Sequence, residues 1–309
     1  MDAEALAEVV GAPVTSLVRL SGGASRQTWR FESGGRPLIV QCDRDTGMTT
    51  RPGMQVEARL LDLARTAGVP VAGVVASGGS DGPLGLPYLV TELVEGETIA
   101  RRLLRDPEFA EARAVVAHQS GVALAAIHSM PVEPVEEGLR EEDPVDGSAK
   151  LLDLFEEPHP AFELGVRWLD RNRPDGHGRV VVHGDFRTGN LVIGPDGLRA
   201  VLDWELTHLG DPAEDLGWFC SRAWRFGSPL RAGGFGTLDD LLAGYRDGGG
   251  ADIDAEDVRW WEAYGTLRWG IVCLVQAASH LTGVSRSVEM ATIGRRTCEA
   301  EWDLLELIS

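Results

Sequence analysis

His183-Gly184-Asp185-Phe186-Arg187-Thr188-Gly189-Asn190, followed by Asp203-Trp204-Glu205, is the stretch from which this chain can be read. Short runs of β-formers surround it: Val180-Val181-Val182 before, then Leu191-Val192-Ile193 and Arg199-Ala200-Val201-Leu202. Gly194-Pro195-Asp196-Gly197 has the composition of a tight turn between the last two. A strand therefore delivers Asp185 onto a loop, and Asn190 closes that loop as the next strand begins. The hairpin then returns Asp203 beside Asn190. Taken singly, Asp185 and Asn190 also suit turns, and Asp203 a helix cap; the ordered set between strands is what singles them out. Hard oxygen ligands of this kind suit magnesium, which takes one or two protein groups and completes its shell with phosphate oxygens and water. Phosphoryl transfer asks for little else beyond a carboxylate that orients the attacking hydroxyl and accepts its proton.

Upstream, residues 14–42 read as antiparallel hairpins. Leu17-Val18-Arg19-Leu20, Thr28-Trp29-Arg30-Phe31 and Leu38-Ile39-Val40 are separated by Ser21-Gly22-Gly23-Ala24-Ser25 and Ser33-Gly34-Gly35. A helix is expected over 54–67, stopped by Gly68 before Pro70. Leu60, Leu61 and Ala64 stand at i+3, i+4 and i+7 from Glu57, so this carboxylate projects from the buried face. Val71–Val75 and Leu86–Leu93 read as two more strands, and the β-rich region ends around Val94-Glu95-Gly96.

Beyond that point the pattern is helical. Val115, Val116, Gln119, Val122, Ala123, Ala126 and Ile127 form a stripe that runs up to His128. The acidic, Pro- and Gly-containing segment 131–148 is expected to be a surface loop, 151–171 helical, and 212–309 mostly helical. Asp211-Pro212-Ala213-Glu214 reads as a helix start of capping-box type. Trp218, Trp224, Trp260, Trp261 and Trp269 either line an acceptor pocket or fill the core.

The bulk composition limits the alternatives. With 309 residues, 43% apolar and 25% charged, the chain is long enough for two cores and has the composition of a soluble protein. There is no apolar run of about 18 residues, so no membrane span is expected. The acidic N-terminus is unlike a signal peptide, and a cytoplasmic address is expected. The 29 basic and 48 acidic side chains give a net charge of −19, which opposes a nucleic-acid partner and gives a slight lean toward a cationic acceptor. Cys42, Cys220, Cys273 and Cys298 are too scattered for a metal knuckle or redox pair. His177 and His183 lack a third ligand at zinc spacing.

The order His183-Gly184-Asp185, Asn190 and Asp203 resembles the aminoglycoside phosphotransferase family, small-molecule relatives of the protein kinases that include choline and homoserine kinases. The resemblance implies an α+β, two-lobed protein-kinase-like fold. In it, a small antiparallel sheet with one helix (1–94) covers the nucleotide, and a larger, mainly helical lobe (95–309) carries the catalytic loop and binds the acceptor. It further implies transfer of the γ-phosphoryl of ATP or GTP to a small-molecule hydroxyl. Asp185 would be the catalytic base, Asn190 and Asp203 the Mg2+ ligands, and His183 and Asp215 the support of the loop. The Ser21-Gly22-Gly23-Ala24-Ser25 turn would cover the phosphates, Glu57 would pair with their cation, and Glu92 and Val94 would offer hinge backbone to the base. Asp203-Trp204-Glu205 through Gly210-Asp211-Pro212 is similar to a subgroup with broad or unassigned substrates, some fused to acyl-CoA dehydrogenase modules. One position departs from the family: the third strand should present Lys or Arg and presents Gln41, with Arg44 as the nearest replacement. That departure motivates the alternative of a weak or inactive kinase-fold binding protein. A protein kinase is disfavoured, because no Ala-Pro-Glu segment follows Asp203.

Overall fold

Gly34 and Gly35, with φ of 58° and 75°, form the two-residue turn that starts the sheet. Positive φ at both positions matches the twist of the flanking strands and suits glycine. In a computed structural model of the chain, describing residues 1–20, 26–43, 52–155, 157–284 and 286–309, that turn joins β2 (Arg26–Ser33) to β3 (Arg36–Asp43). The expected phosphate turn Ser21-Gly22-Gly23-Ala24-Ser25 and Arg44 lie outside the described residues.

With β1 (Val14–Arg19), β4 (Val74–Gly78) and β5 (Tyr88–Glu92), these strands form a five-stranded antiparallel sheet of order β1-β2-β3-β5-β4. One face packs α1 (Ala3–Val10) through Leu6, Phe31, Leu38, Val40, Cys42, Tyr88 and Val90. Helix α1, absent from the sequence reading, is eight residues long, capped by Asp2, and buries Leu6. On the other side lies α2 (Met54–Thr66), which buries Glu57, Leu60, Leu61 and Ala64 as their spacing requires. The fourth strand begins at Val74, three positions later than expected, because Val71 and Ala72 fall in the connection that carries Pro70 against β8 (Gly197–Val201), where Val201 N–H donates to the Pro70 carbonyl at 2.8 Å.

The remainder is mainly helical: α3 (Ala100–Arg105), α4 (Ala110–His128), α5 (Pro144–Leu152), α6 (Pro160–Arg171), α7 (Ala213–Cys220), α8 (Leu238–Asp247), α9 (Ala255–Thr282), α10 (Val288–Gly294) and α11 (Thr297–Ile308). Segment 131–148 is not wholly a loop. Asp143 caps α5 by accepting the N–H groups of Val145 and Asp146, and Pro144 takes the first helical position. Helices α4 and α8 cross at Gly121 and Gly244, where a Cβ would strike the backbone of Leu241 and His118. The larger hydrophobic core joins Leu60, Leu61 and Leu89 to α4, α7, α8 and α9. No helix among the described residues is long and apolar enough to cross a membrane.

Candidate active site

Strand β6 (Val180–Val182) feeds the His183–Asn190 loop, and pairs antiparallel with β9 (His208–Gly210), a short strand absent from the sequence reading. At Gly184, φ is 77° and a Cβ would meet the Leu206 carbonyl, so the chain turns on glycine there. The loop is held from behind. Asp215 accepts the N–H of His183 at 2.8 Å and of Gly184 at 2.9 Å, and also faces His128 Nε2 at 3.2 Å. Buried without exposure, its carboxyl is nevertheless held below the usual range: burial opposes ionisation, and His128 with these N–H groups outweighs it. Imidazole His183 is kept neutral chiefly by burial. Its Nδ1 accepts the Asp185 N–H at 3.2 Å, which leaves Nε2–H to donate to the Leu202 carbonyl at 3.1 Å.

Asp185 faces several donors. Trp218 Nε1–H reaches Oδ1 at 3.0 Å, Arg187 Nε lies 3.1 Å from Oδ2, and Asn190 Nδ2 donates to Oδ2 at 2.7 Å and to the Asp185 carbonyl at 2.9 Å. This amide orientation turns Asn190 Oδ1 away from Asp185. Strand β7 (Leu191–Gly194) then begins, pairs with β8 through a turn at Pro195-Asp196, and returns the chain. Leu202 N–H donates to the Asn190 carbonyl at 2.8 Å, which sets Asp203 beside the loop. Asp203 itself sits at φ 64°, a left-handed conformation unusual outside glycine and one that recurs at functional sites. Burial pushes its carboxyl up to about 7, with Glu205 and Asp185 adding to the rise.

No group of three or more His, Cys, Asp or Glu among the described residues is arranged as a metal centre. Asp203 and the Asn190 carboxamide are instead a partial donor set of the kind magnesium takes when phosphate and water supply the rest. The crowding that drives Asp203 toward its neutral form is relieved by a divalent cation, so these residues fit such an ion.

Glu57 meets a cation that the sequence reading did not identify. Arg26, the first residue of β2, donates from Nη1 and Nη2 to the two Glu57 oxygens at 3.0 and 2.7 Å, and both side chains are 3% exposed. Its Nε lies 3.3 Å from Asp43 and 3.2 Å from Glu205. Burial works against the charge on Arg26, but Glu57, Glu205 and Asp43 together raise its pKa. Gln41 is half-buried on β3, opposite Thr28 and Leu89, and is not the partner of Glu57. At the end of β5, Glu92 donates its N–H to the Gly73 carbonyl, its side chain is exposed, and Val94 follows in the crossing to the helical part.

The tryptophans divide into two groups. Trp218 contacts Asp185 and packs against Trp224, which packs against Trp269, with ring centroids 5.1 and 4.8 Å apart. Arg187 lies over Trp224 and Arg268 over Trp218, at 4.9 and 4.8 Å. Trp260 and Trp261 are core, and Trp260 Nε1–H donates to the Leu169 carbonyl at 3.0 Å. Asp211 accepts the Ala213 N–H at 2.8 Å, but the expected capping box does not form: Pro212, not Asp211, holds the cap position of α7, and Glu214 is turned inward onto His208 at 3.0 Å. Arg26, Arg187 and the role of Trp218 were missed in the sequence. For Arg187, the available signal was its place two residues after Asp185; for Arg26, it was an arginine at the start of a β-forming run, directly after Gly-Gly-Ala-Ser.

Residues 16–261 match the profile of the phosphotransferase enzyme family. The chain belongs to that family. Among relatives of this family member, mouse acyl-CoA dehydrogenase family member 10 is 28% identical over 214 residues, covering 66% of this chain and 20% of that protein. The chain thus spans about a fifth of the length of that relative. Aminoglycoside 3'-phosphotransferase of Streptomyces fradiae is 31% identical over 165 residues, covering 50% of this chain and 58% of the relative. In fold, the phosphotransferase resembles a candidate aminoglycoside phosphotransferase of Ralstonia eutropha, with a TM-score of 0.78, 21% identity, and 99% and 98% of the two chains covered. It also resembles a thermostable mutant of aminoglycoside phosphotransferase APH(4)-Ia in ternary complex with ADP and hygromycin B, with a TM-score of 0.65, 17% identity, and 99% and 97% covered.

Proposed function

We propose that this phosphotransferase moves the γ-phosphoryl of ATP or GTP onto a hydroxyl of a small molecule. The observation that carries this reading is the convergence of Asp185, Asn190 and Asp203, drawn together by the Asn190–Asp185 bonds and by Leu202 N–H on the Asn190 carbonyl. Asp185 is the base. Fixed by Trp218 and Asn190, its carboxylate orients the acceptor hydroxyl and takes its proton as the hydroxyl oxygen attacks the γ-phosphorus, the bond to the β–γ bridging oxygen breaks and the nucleoside diphosphate leaves. Arg187 is the cation next to the transferred group. Asn190 and Asp203 would hold Mg2+, which when bound supplies charge neutralisation to the phosphate oxygens. His183 and Asp215 keep the loop in register.

The nucleotide lies between residues 1–94 and 95–309, with its base edge at the backbone of Glu92 and Val94. The acceptor is selected by the region beyond 212, where Trp218 adjoins Asp185 and Trp224 and Trp269 pack in series behind it. The ADP and hygromycin B held by the structural relative support a ternary arrangement of this kind. The reaction takes place in the cytoplasm, without a nucleic-acid or membrane partner. A panel of hydroxyl metabolites and antibiotics, incubated with Mg·ATP and followed by mass, tests the reading. A phosphorylated product should form with the parent and fall at least about 100-fold with Asp185→Asn, while nucleotide affinity holds. Equal turnover by the two proteins would remove Asp185 from its role; nucleotide binding with no product from any acceptor would favour the inactive kinase-fold alternative.

A further inference from the structure

Glu57 is an acid on the buried face of α2, and such a group persists only with a partner held at close range. On the nucleotide-binding reading above, we propose that Arg26 is the phosphate-binding cation of this enzyme. It takes from β2 the task that the sequence assigned to position 41 of β3.

Three observations carry this. The strand register pairs Arg26 with Asp43 and Thr28 with Gln41. Paired and alternate residues share a face of a sheet, so Arg26 and Gln41 stand one step apart on the same face. A cation can therefore be moved between these strands without leaving the cleft. Next, Arg26 uses one N–H of Nη1 and one of Nη2 on Glu57, and a guanidinium retains a second N–H on each. Glu57 fixes the plane of the fork, and the remaining donors suit phosphate oxygens. Finally, Arg26 Nε is 3.2 Å from Glu205, two residues beyond Asp203. The guanidinium thus lies between α2 and the loop that carries Asp203, where phosphates must pass to bring a γ-phosphoryl to Asp185.

Calorimetric titration with Mg·ATP and with adenosine tests the assignment in the whole chain. The double variant R26M/E57M removes Arg26 together with its fully buried partner; Asp43 and Glu205, which Arg26 also meets, are 31% and 14% exposed and stay hydrated, and parent-like urea unfolding checks that the fold persists. Relative to the parent, it should bind Mg·ATP about 10- to 100-fold more weakly, the loss of charge-assisted bonds, and adenosine within about twofold. R26M/Q41K places an ammonium beside Glu57 from the neighbouring strand and should recover most of the lost Mg·ATP affinity. If R26M/E57M binds Mg·ATP as the parent does, or loses ATP and adenosine alike, Arg26 is only a brace of the sheet and the assignment falls. A parent protein that binds neither compound fails differently, and takes the nucleotide reading down with it.

Discussion

The carboxylate of Asp215 accepts the backbone N–H groups of His183 and Gly184, at 2.8 and 2.9 Å, so a side chain of α7 sets the path of the loop that bears Asp185. His128 at the end of α4 faces the same carboxylate and is itself 2.8 Å from the Tyr245 hydroxyl of α8. Three helices thereby fix one backbone turn. Each member is buried, so the network gains from low dielectric and loses heavily if any partner is missing. The loop that bears Asp185 is thus tied to α4, α7 and α8 through buried hydrogen bonds.

Asp215→Asn replaces one accepting oxygen by an NH2 that must point at N–H donors or at His128. Stability should fall by about 2–4 kcal/mol, the cost of stranding buried polar groups, and phosphoryl transfer by about tenfold or more. Urea unfolding together with turnover measures both; parent-like stability would contradict the bracing role.

Asp203→Asn should stabilise the ligand-free protein. Its carboxyl lies at about 7 in the fold, against an ordinary value of 3.8. A raised acid binds its proton more tightly when folded, so ionisation destabilises the fold progressively as pH climbs from about 4 to 7. The variant should therefore gain about 1–2 kcal/mol at pH 8 and almost nothing at pH 4, while losing the magnesium-dependent stabilisation given by ATP. Thermal unfolding at the two pH values, with and without Mg·ATP, provides the readout. A variant still stabilised by Mg·ATP to the parent's extent would show that Asp203 is not a ligand.

The His208–Glu214 pair should make stability depend on pH with a defined sign. His208 Nε2 is 3.0 Å from Glu214 and Nδ1 is 2.9 Å from the Leu206 carbonyl, so both nitrogens face acceptors and the ring carries both protons. Burial lowers its pKa, but Glu214 more than restores it, and the net shift is upward. Burial likewise works to raise Glu214, and His208 and Arg268 bring it down. The histidine's contribution is complete below about 6.5 and fades as pH rises through its higher folded value; the glutamate's is complete above about 4.3 and fades on acidification through its lower one. The stability difference between the parent and His208→Gln should thus be largest near pH 5–6 and shrink toward pH 9. A difference that grows with pH would reverse the assignment of charge.

Much of the site was legible because it is local. Strand β6, the loop to Asn190 and the β7–β8 hairpin follow one another in the chain, and a two-residue turn leaves the returning strand nowhere else to go. Glu57 was visible for a similar reason: its spacing to Leu60, Leu61 and Ala64 places it on the buried face of a helix whatever that helix packs against. The acidic segment before α5 and the turn at Asp211 were less legible, since Asp, Glu, Pro and Gly suit both a loop and a capped helix start.

The sequence by itself determined the run of strands from β2 to β8 and the approach of Asn190 and Asp203 to Asp185, because short-range periodicity and turn chemistry are properties of neighbouring residues. Only the tertiary structure decided that Arg26 answers Glu57 across 31 positions, that Asp215 reaches back 32 positions to His183, and that Trp218 rather than Trp260 touches Asp185. Those contacts depend on strand register and on which helix face meets the loop. Such choices are set by packing of the whole core, and no local stretch of sequence encodes them.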